Sequence, residues 1–135
     1  MRVFMDASAW VASAVKTDAW APDFARVMAE LRGQRIELFT TTWTLYEALA
    51  ILRRRKPEAV DLLFQRATGQ GSVLAVDPEI EQEALRRFLK WKDKGASVVD
   101  HANALVAILQ HCDAILSFDD DFVPLAKAGG IRLLA

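Results

Sequence analysis

The sequence predicts an α/β fold in which helices cover a parallel sheet, and three observations support this prediction. Short apolar runs alternate with longer stretches of helical periodicity, which is the pattern of βαβ units. Proline and glycine stand between these segments, where helices are expected to end. The chain has 135 residues, of which 53% are hydrophobic and 26% charged, as is typical of a globular protein. We therefore expect one domain over residues 1–135.

Each predicted element follows from this alternation. Strands are expected at residues 2–5, 36–40, 73–76, 114–117 and 131–134. Helical patterns fill residues 8–16, 22–32, 43–55, 58–69, 78–92, 98–111 and 122–128. Pro57 should end the helix that begins near Trp43, and Asp77 with Pro78 should cap the start of another. Glycines mark turns from helix to strand at Gly33, at Gly69 with Gly71, and at Gly129 with Gly130.

Charge and cysteine content limit the possible function classes. Lys and Arg number 17 against 18 Asp and Glu, so the net charge neither requires nor excludes nucleic acid. Basic clusters occur at Arg53–Lys56 and at Arg86, Arg87, Lys90, Lys92 and Lys94. Such clusters are usually solvated helix ends, and phosphate contact is the alternative. Cys112 is alone, which excludes an internal disulfide, and two histidines argue against a zinc site.

No targeting or membrane segment is expected. Asp6 interrupts the first apolar run, and no cleavage pattern of a signal peptide follows it. No apolar stretch approaches the roughly 20 residues that a membrane span needs. These features predict a soluble protein of the cytoplasm.

Four acidic residues lie in apolar surroundings, where a carboxylate is costly unless something compensates it. They are Asp6, Glu47, Asp100 and Asp119. Other acids, such as Asp61, Glu79, Glu81, Glu83 and Asp93, have polar or basic neighbours and are expected to be solvated. Asp6, Glu47, Asp100 and Asp119 are therefore the candidates for a functional site.

The predicted topology brings these four acids to one edge of the sheet. Asp6 and Asp119 directly follow predicted strands, and Glu47 lies early in the helix that leaves residues 36–40. Asp100 begins a helix that should run antiparallel to the next strand, so it starts at the same edge. This edge, at the carboxyl ends of parallel strands, is where ligands of open α/β sheets usually bind.

Repulsion among four clustered carboxylates would be severe. Two carboxylates about 4 Å apart repel by about 4 kcal/mol at an effective dielectric near 20, and a domain has only about 5–15 kcal/mol of stability. Either the acids lie further apart, or a cation lies among them. Oxygen ligands with few neutral donors suit Mg²⁺ or Mn²⁺.

Each acid also has a structural interpretation. Asp6 can cap a helix, although Ser8 is expected to do so already. Thr40–Thr42 and Thr44 can cap the helix of Glu47, which leaves the acid without a structural role. Asp100 has the spacing of a capping box with Ser97, and Asp119–Asp121 can form an acidic turn. His101 is expected at the surface, and Asn103, on the helical face of Asp100, can hold a metal-bound water or substrate.

The ordered set of these motifs resembles the PIN-domain ribonucleases, and within them the short VapC-type toxins of toxin–antitoxin pairs. The segments that carry the resemblance are Asp6–Trp10, Thr41–Leu49, Ser97–Asp100 with Asn103, Ser117–Phe122 and Gly130–Leu134. Ala7 stands where the family usually has a hydroxyl residue. The triple aspartate leaves open whether Asp119 or Asp121 is the fourth acid, and the family pattern favours Asp119.

The resemblance implies a three-layer α/β/α sandwich with a five-stranded parallel sheet. It further implies metal-dependent hydrolysis of RNA, a homodimer, and inhibition by a small antitoxin protein. Asp6, Asp100 and Asp119 would hold Mg²⁺ or Mn²⁺, and Glu47 would orient the attacking water or assist a second ion. Ser8, Asn103 and Asp121 would support the site.

Two other classes of protein remain as alternatives. A catalytically idle PIN-like binding module would share the fold, but the presence of all four acids argues against it. A phosphoacceptor signalling domain would have two adjacent acids after its first strand and a lysine at the end of a later strand. Here alanine follows Asp6, and no predicted strand ends in lysine.

Overall fold

The computed structural model describes residues 1–92 and 95–135 and contains a parallel five-stranded sheet. The strands are β1 (Arg2–Met5), β2 (Glu37–Thr41), β3 (Gly71–Leu74), β4 (Ala114–Leu116) and β5 (Arg132–Leu134). Their order across the sheet is β3-β2-β1-β4-β5, and every neighbouring pair is parallel. All carboxyl ends of the strands therefore lie at one edge.

Seven α-helices and one short 3-10 helix are described. The α-helices are α1 (Ala7–Ala14), α2 (Ala21–Glu30), α3 (Thr42–Arg55), α4 (Val60–Gln70), α5 (Pro78–Lys90), α6 (Val98–Leu109) and α7 (Phe122–Gly129). The 3-10 helix covers Pro57–Ala59. As predicted, Pro57 separates α3 from α4, and Asp77 caps α5 by accepting a hydrogen bond from the Ile80 amide at 2.9 Å.

The helices form two layers because the side chains of each strand alternate between the two faces of the sheet. On one face, Val3 and Met5 pack with α1–α4 in one hydrophobic core. On the other face, Phe4 and Ile115 pack with α6 and α7, and α5 packs against α6. The predicted three-layer α/β/α sandwich with a five-stranded parallel sheet is confirmed.

Strand β3 lies two residues earlier than its predicted range of 73–76. Helix α4 continues through Gly69 to Gln70, and β3 begins at Gly71 without a turn between them. A Cβ atom at Gly71 would lie 3.0 Å from the Ala67 carbonyl oxygen, so the close approach explains the glycine. The chain therefore changes from helix to strand at Gly71, as predicted, but no separate turn lies between the two elements. Gly33 and Gly130 have positive φ angles.

Asp93, expected to be solvated, and Lys94 of the second basic cluster lie outside the described residues. Within the part of the chain that the structure describes, none of the helices combines the length and apolarity that crossing a bilayer requires.

Candidate active site at the carboxyl edge of the sheet

The side chains of Asp6, Glu47, Asp100 and Asp119 line one cavity of about 150 Å³, together with Ser8 and Asn103. These residues come from the end of β1, from helices α1, α3 and α6, and from the segment after β4. The structure thus brings together the four acids that the sequence singled out.

Asp6 is the most buried of these acids, with 5% of its surface exposed. Its Oδ1 atom accepts hydrogen bonds from the Ser8 hydroxyl at 2.6 Å and the Ala9 amide at 3.2 Å. Its Oδ2 atom accepts one from the Ser117 hydroxyl at 2.7 Å. Burial raises the pKa of Asp6 to about 6 despite these hydrogen bonds, and Asp100 adds to the rise. The hydrogen bonds to Asp6 therefore do not fully offset the free-energy cost of burying its ionised carboxylate.

Asp6 also caps α1, so the expectation that Ser8 caps this helix is wrong. The Ser8 hydroxyl instead accepts a hydrogen bond from the Phe118 amide at 2.9 Å. The Ser117 hydroxyl likewise accepts one from the Asp119 amide at 3.1 Å. The two serines therefore fix the loop that carries Asp119 against Asp6. Ser117 was not identified as a site residue from the sequence, although its position directly after β4, two residues before Asp119, was a usable signal.

Asp100 has a structural role in addition to its place in the cavity. Its Oδ2 atom accepts a hydrogen bond from the Ser97 amide at 2.9 Å, and its own amide donates to the Ser97 hydroxyl at 3.1 Å. This is the predicted capping box. Burial nevertheless raises the pKa of Asp100, and the charges of Asp119 and Asp121 raise it further, while the bonds from Ser97 oppose the rise.

Asp121, which the sequence left open as an alternative to Asp119, lies close to Asp100 and Asp119. Carboxylate oxygens of Asp100, Asp119 and Asp121 all lie within 4.8 Å of one another. The Asp121 amide donates to the Asp119 Oδ1 atom at 2.9 Å. Burial and the neighbouring Asp119 and Asp120 raise the pKa of Asp121. Asp119 lines the cavity with Asp6, and Asp121 belongs to the close group with Asp100 and Asp119, so both remain candidates for the fourth acid.

Glu47 is exposed, contrary to the apolar environment that its neighbours in the sequence suggested. Leu45, Ala48 and Leu52 form the buried face of α3, and Glu47 lies outside that face at the cavity. Partial desolvation raises the pKa of Glu47, and the charges of Asp100 and Asp119 raise it further.

Asn103 is buried and connects α6 to the start of α3. Its Oδ1 atom accepts a hydrogen bond from the Thr41 hydroxyl at 3.0 Å, and its Nδ2 atom donates to the Thr44 hydroxyl at 2.6 Å. Thr41 also caps α3 by accepting from the Thr44 amide at 3.2 Å. These contacts give Asn103 a positioning role that sequence spacing alone did not indicate.

His101 is buried, with 2% of its surface exposed, so its prediction as a surface residue is wrong. Helix α5 packs against α6, and the His101 ring contacts Trp91 with 5.4 Å between ring centroids. The chain therefore covers both sides of α6, which a single helical pattern cannot reveal.

No cation compensates the acidic cavity among the described residues. The ion pairs that the structure describes do not include Asp6, Glu47, Asp100, Asp119 or Asp121. Three arginines of the basic clusters contact other acids: Arg86 and Arg87 contact Glu83, and Arg55 contacts Asp18. The cavity is thus a region of negative charge that suits a bound cation.

The fold of this chain has counterparts among known proteins. The family model described as PIN domain matches residues 3–128. No curated protein matches the sequence.

Several solved structures share the fold. VapC20 of Mycobacterium tuberculosis, described as a toxin that cleaves the sarcin-ricin loop, is 24% identical, with 96% of this chain and 95% of that chain covered and a TM-score of 0.80. VapBC2 of Rickettsia felis, bound to a promoter DNA fragment, is 13% identical, with coverage of 98% and 97% and a TM-score of 0.69. FitAcB of Neisseria gonorrhoeae is also 13% identical, with coverage of 98% and 96% and a TM-score of 0.63.

Proposed function

The chain belongs to the PIN domain family, and from this premise we propose that it is a metal-dependent endoribonuclease, the toxin of a toxin–antitoxin pair. One observation carries the proposal. Four carboxylates line a single cavity of about 150 Å³, and the ion pairs of the described residues leave all four without a basic partner.

The donor set fits a hard divalent cation. Mg²⁺ and Mn²⁺ bind oxygen ligands at about 2.1 Å, so the ligands of one such ion lie within a few ångströms of one another. The oxygens of Asp100, Asp119 and Asp121 lie within 4.8 Å of one another, which is compatible with a shared ion. We assign the ion to Asp100 and Asp119 together with Asp6, because Asp6 lines the same cavity as these two acids. Asp121 is the alternative to Asp119 or an additional ligand.

The side chains have distinct roles in this proposal. A bound divalent ion supplies Lewis acidity toward the scissile phosphate and lowers the pKa of a water molecule. Glu47, at the exposed side of the cavity, orients the attacking water or assists a second ion. Ser8 and Ser117 hold the Asp6 carboxylate in place, and Asn103 fixes α6 relative to α3.

We also propose that an antitoxin protein inhibits this site and that the chain forms a homodimer. The support is the similarity in fold to the VapBC2 and FitAcB proteins, together with the sequence motifs described above. Because the substrate is RNA in this proposal, we expect the protein to act in the cytoplasm.

Cleavage of RNA by the purified protein tests this function. Cleavage should require Mg²⁺ or Mn²⁺ and stop with EDTA, because in this proposal the ion supplies the Lewis acidity and allows the phosphate to approach the negatively charged cavity. Asp6→Asn and Asp100→Asn should each abolish it. Asp61→Asn, which removes an exposed carboxylate on α4, is the matched control and should cleave like the unmodified protein. Undiminished cleavage by either of the first two variants would reject the assigned site.

A further inference from the structure

A second cavity, of about 380 Å³, borders the acidic one. Ser8 and Ile51 line both cavities. The second cavity continues to Asp18, Trp20 and Arg55. Its volume lies in the range of about 300–1,000 Å³ that is usual for small-molecule sites, so it has room for a planar group the size of a nucleobase.

Trp20 forms a rigid aromatic wall of this cavity. Its ring stacks on Phe118 with 5.6 Å between centroids and planes inclined by 6°. The Trp20 amide donates a hydrogen bond to the Asp18 Oδ2 atom at 3.0 Å. Phe118 lies against this ring, and 47% of the Trp20 surface is nevertheless exposed. Trp20 also lines the second cavity, so an exposed aromatic ring borders that cavity.

This ring is linked directly to the acids. Phe118 precedes Asp119, and its amide donates to the Ser8 hydroxyl, which in turn donates to Asp6. The position of the Trp20 ring is thus set by the same contacts that set the acidic cavity.

A cation lies at the far end of the second cavity. Glu47, Ile51 and Arg55 follow one another at intervals of four residues on α3, so they share a face, and Glu47 and Arg55 lie about 12 Å apart along the helix axis. A short stretch of extended single-stranded RNA covers that distance. Arg55 contacts the buried Asp18 at 2.9 Å, while 49% of the Arg55 side chain is exposed. The guanidinium is therefore positioned and still accessible to a phosphate.

We propose that the second cavity binds one unpaired base of the RNA next to the scissile phosphate, with Trp20 stacking on the base and Arg55 contacting the backbone. Proteins commonly hold unstacked bases against exposed aromatic rings and arginine side chains, and Trp20 and Arg55 both line this cavity. This inference rests on the proposed ribonuclease function, because it places the base by reference to the acidic cavity.

Base removal combined with substitution of Trp20 tests the inference. The substrate is an RNA oligonucleotide that contains a cleavage site mapped on total cellular RNA, with an abasic nucleotide placed in turn at each position around the cut. One abasic position should lower kcat/KM by about 5- to 150-fold, and Trp20→Ala should lower it equally on the intact oligonucleotide. On that abasic oligonucleotide, Trp20→Ala should cause no further loss, since the stacking partner is already absent.

Matched variants separate stacking from folding. Trp20→Phe keeps an aromatic face and should retain most of the activity. Trp20→Leu keeps apolar contact with Phe118 but has no π-face, so it should behave like Trp20→Ala. Phe64→Ala, which removes a ring that is 50% exposed on α4, should cleave like the unmodified protein.

The possible failures differ from one another. If the unmodified protein cleaves no RNA with Mg²⁺ or Mn²⁺, the ribonuclease function fails and this inference fails with it. If the unmodified protein cleaves but Trp20→Ala keeps full activity, only the base site is rejected. The same holds if the losses in kcat/KM from Trp20→Ala and from base removal multiply. If Trp20→Ala cleaves normally but no longer binds the antitoxin, the cavity belongs to a protein partner and the base site is also rejected.

Discussion

Replacing Asp6 with asparagine should stabilise the metal-free protein at neutral pH while it abolishes cleavage. Burial raises the pKa of Asp6 from 3.8 to about 6, and each pKa unit corresponds to about 1.4 kcal/mol. Keeping Asp6 ionised in the folded state therefore costs about 3 kcal/mol at pH 7.5. Asparagine cannot ionise, so it avoids this cost.

The sign of the pH dependence follows from linkage. Between pH 3.8 and about 6 the folded protein holds the Asp6 proton more tightly than the unfolded chain. The contribution of Asp6 to the free energy of unfolding therefore falls as pH rises through this window. Asparagine can still cap α1, but its amide group replaces the oxygen that accepts from Ser117, a loss of about 1 kcal/mol. The variant should be about 2 kcal/mol more stable at pH 7.5 and slightly less stable at pH 4.

Urea denaturation in EDTA at both pH values measures this effect, with tryptophan fluorescence reporting unfolding. The stability difference between Asp6→Asn and the unmodified protein should change by about 2 kcal/mol between pH 4 and pH 7.5. Asp61→Asn controls for the loss of one exposed carboxylate. If Asp6→Asn destabilises the protein equally at both pH values, the buried Asp6 charge is already compensated and the reasoning is wrong.

Three further predictions concern the residues around the cavity. Saturating Mg²⁺ should raise the thermal unfolding midpoint of the unmodified protein, and Asp100→Asn should lose that rise; an equal rise in both would contradict the assignment. Gly95→Ala places a Cβ atom 2.6 Å from the Asp121 Oδ1 atom, so it should displace Asp121 and lower cleavage with little change in the urea midpoint. Unchanged kcat/KM would show that Asp121 is dispensable. Thr41→Val removes the cap of α3 and the hydrogen bond to Asn103, and urea titration should show a loss of about 1–3 kcal/mol.

The fold followed from local signals because strands and helices alternate along the chain with clear breaks. Pro57 and Asp77 ended and began helices where expected. The start of β3 at Gly71 was not predicted from the sequence. Gly71 was interpreted as part of a turn, whereas the structure needs a glycine there because the Ala67 carbonyl approaches it closely. That contact depends on how α4 meets the sheet, which no local pattern contains.

The predicted order of strands and helices was enough to bring the four acids to one edge of the sheet. It was not enough to predict the burial and hydrogen bonds of the residues around them. Glu47 is flanked by apolar residues in the sequence, yet it lies on the exposed side of α3. His101 is buried because α5 covers its side of α6. The link from Ser117 to Asp6 joins residues that are 111 positions apart, so only the folded chain reveals it.

Binding of Mn²⁺, followed by electron paramagnetic resonance of the free ion, tests most directly whether the carboxylates at the sheet edge form a cation site. The unmodified protein should remove Mn²⁺ from solution in a saturable manner, and Asp119→Asn should weaken this binding strongly while Asp61→Asn does not. Equal binding by all three proteins, or none by the unmodified protein, would contradict the account.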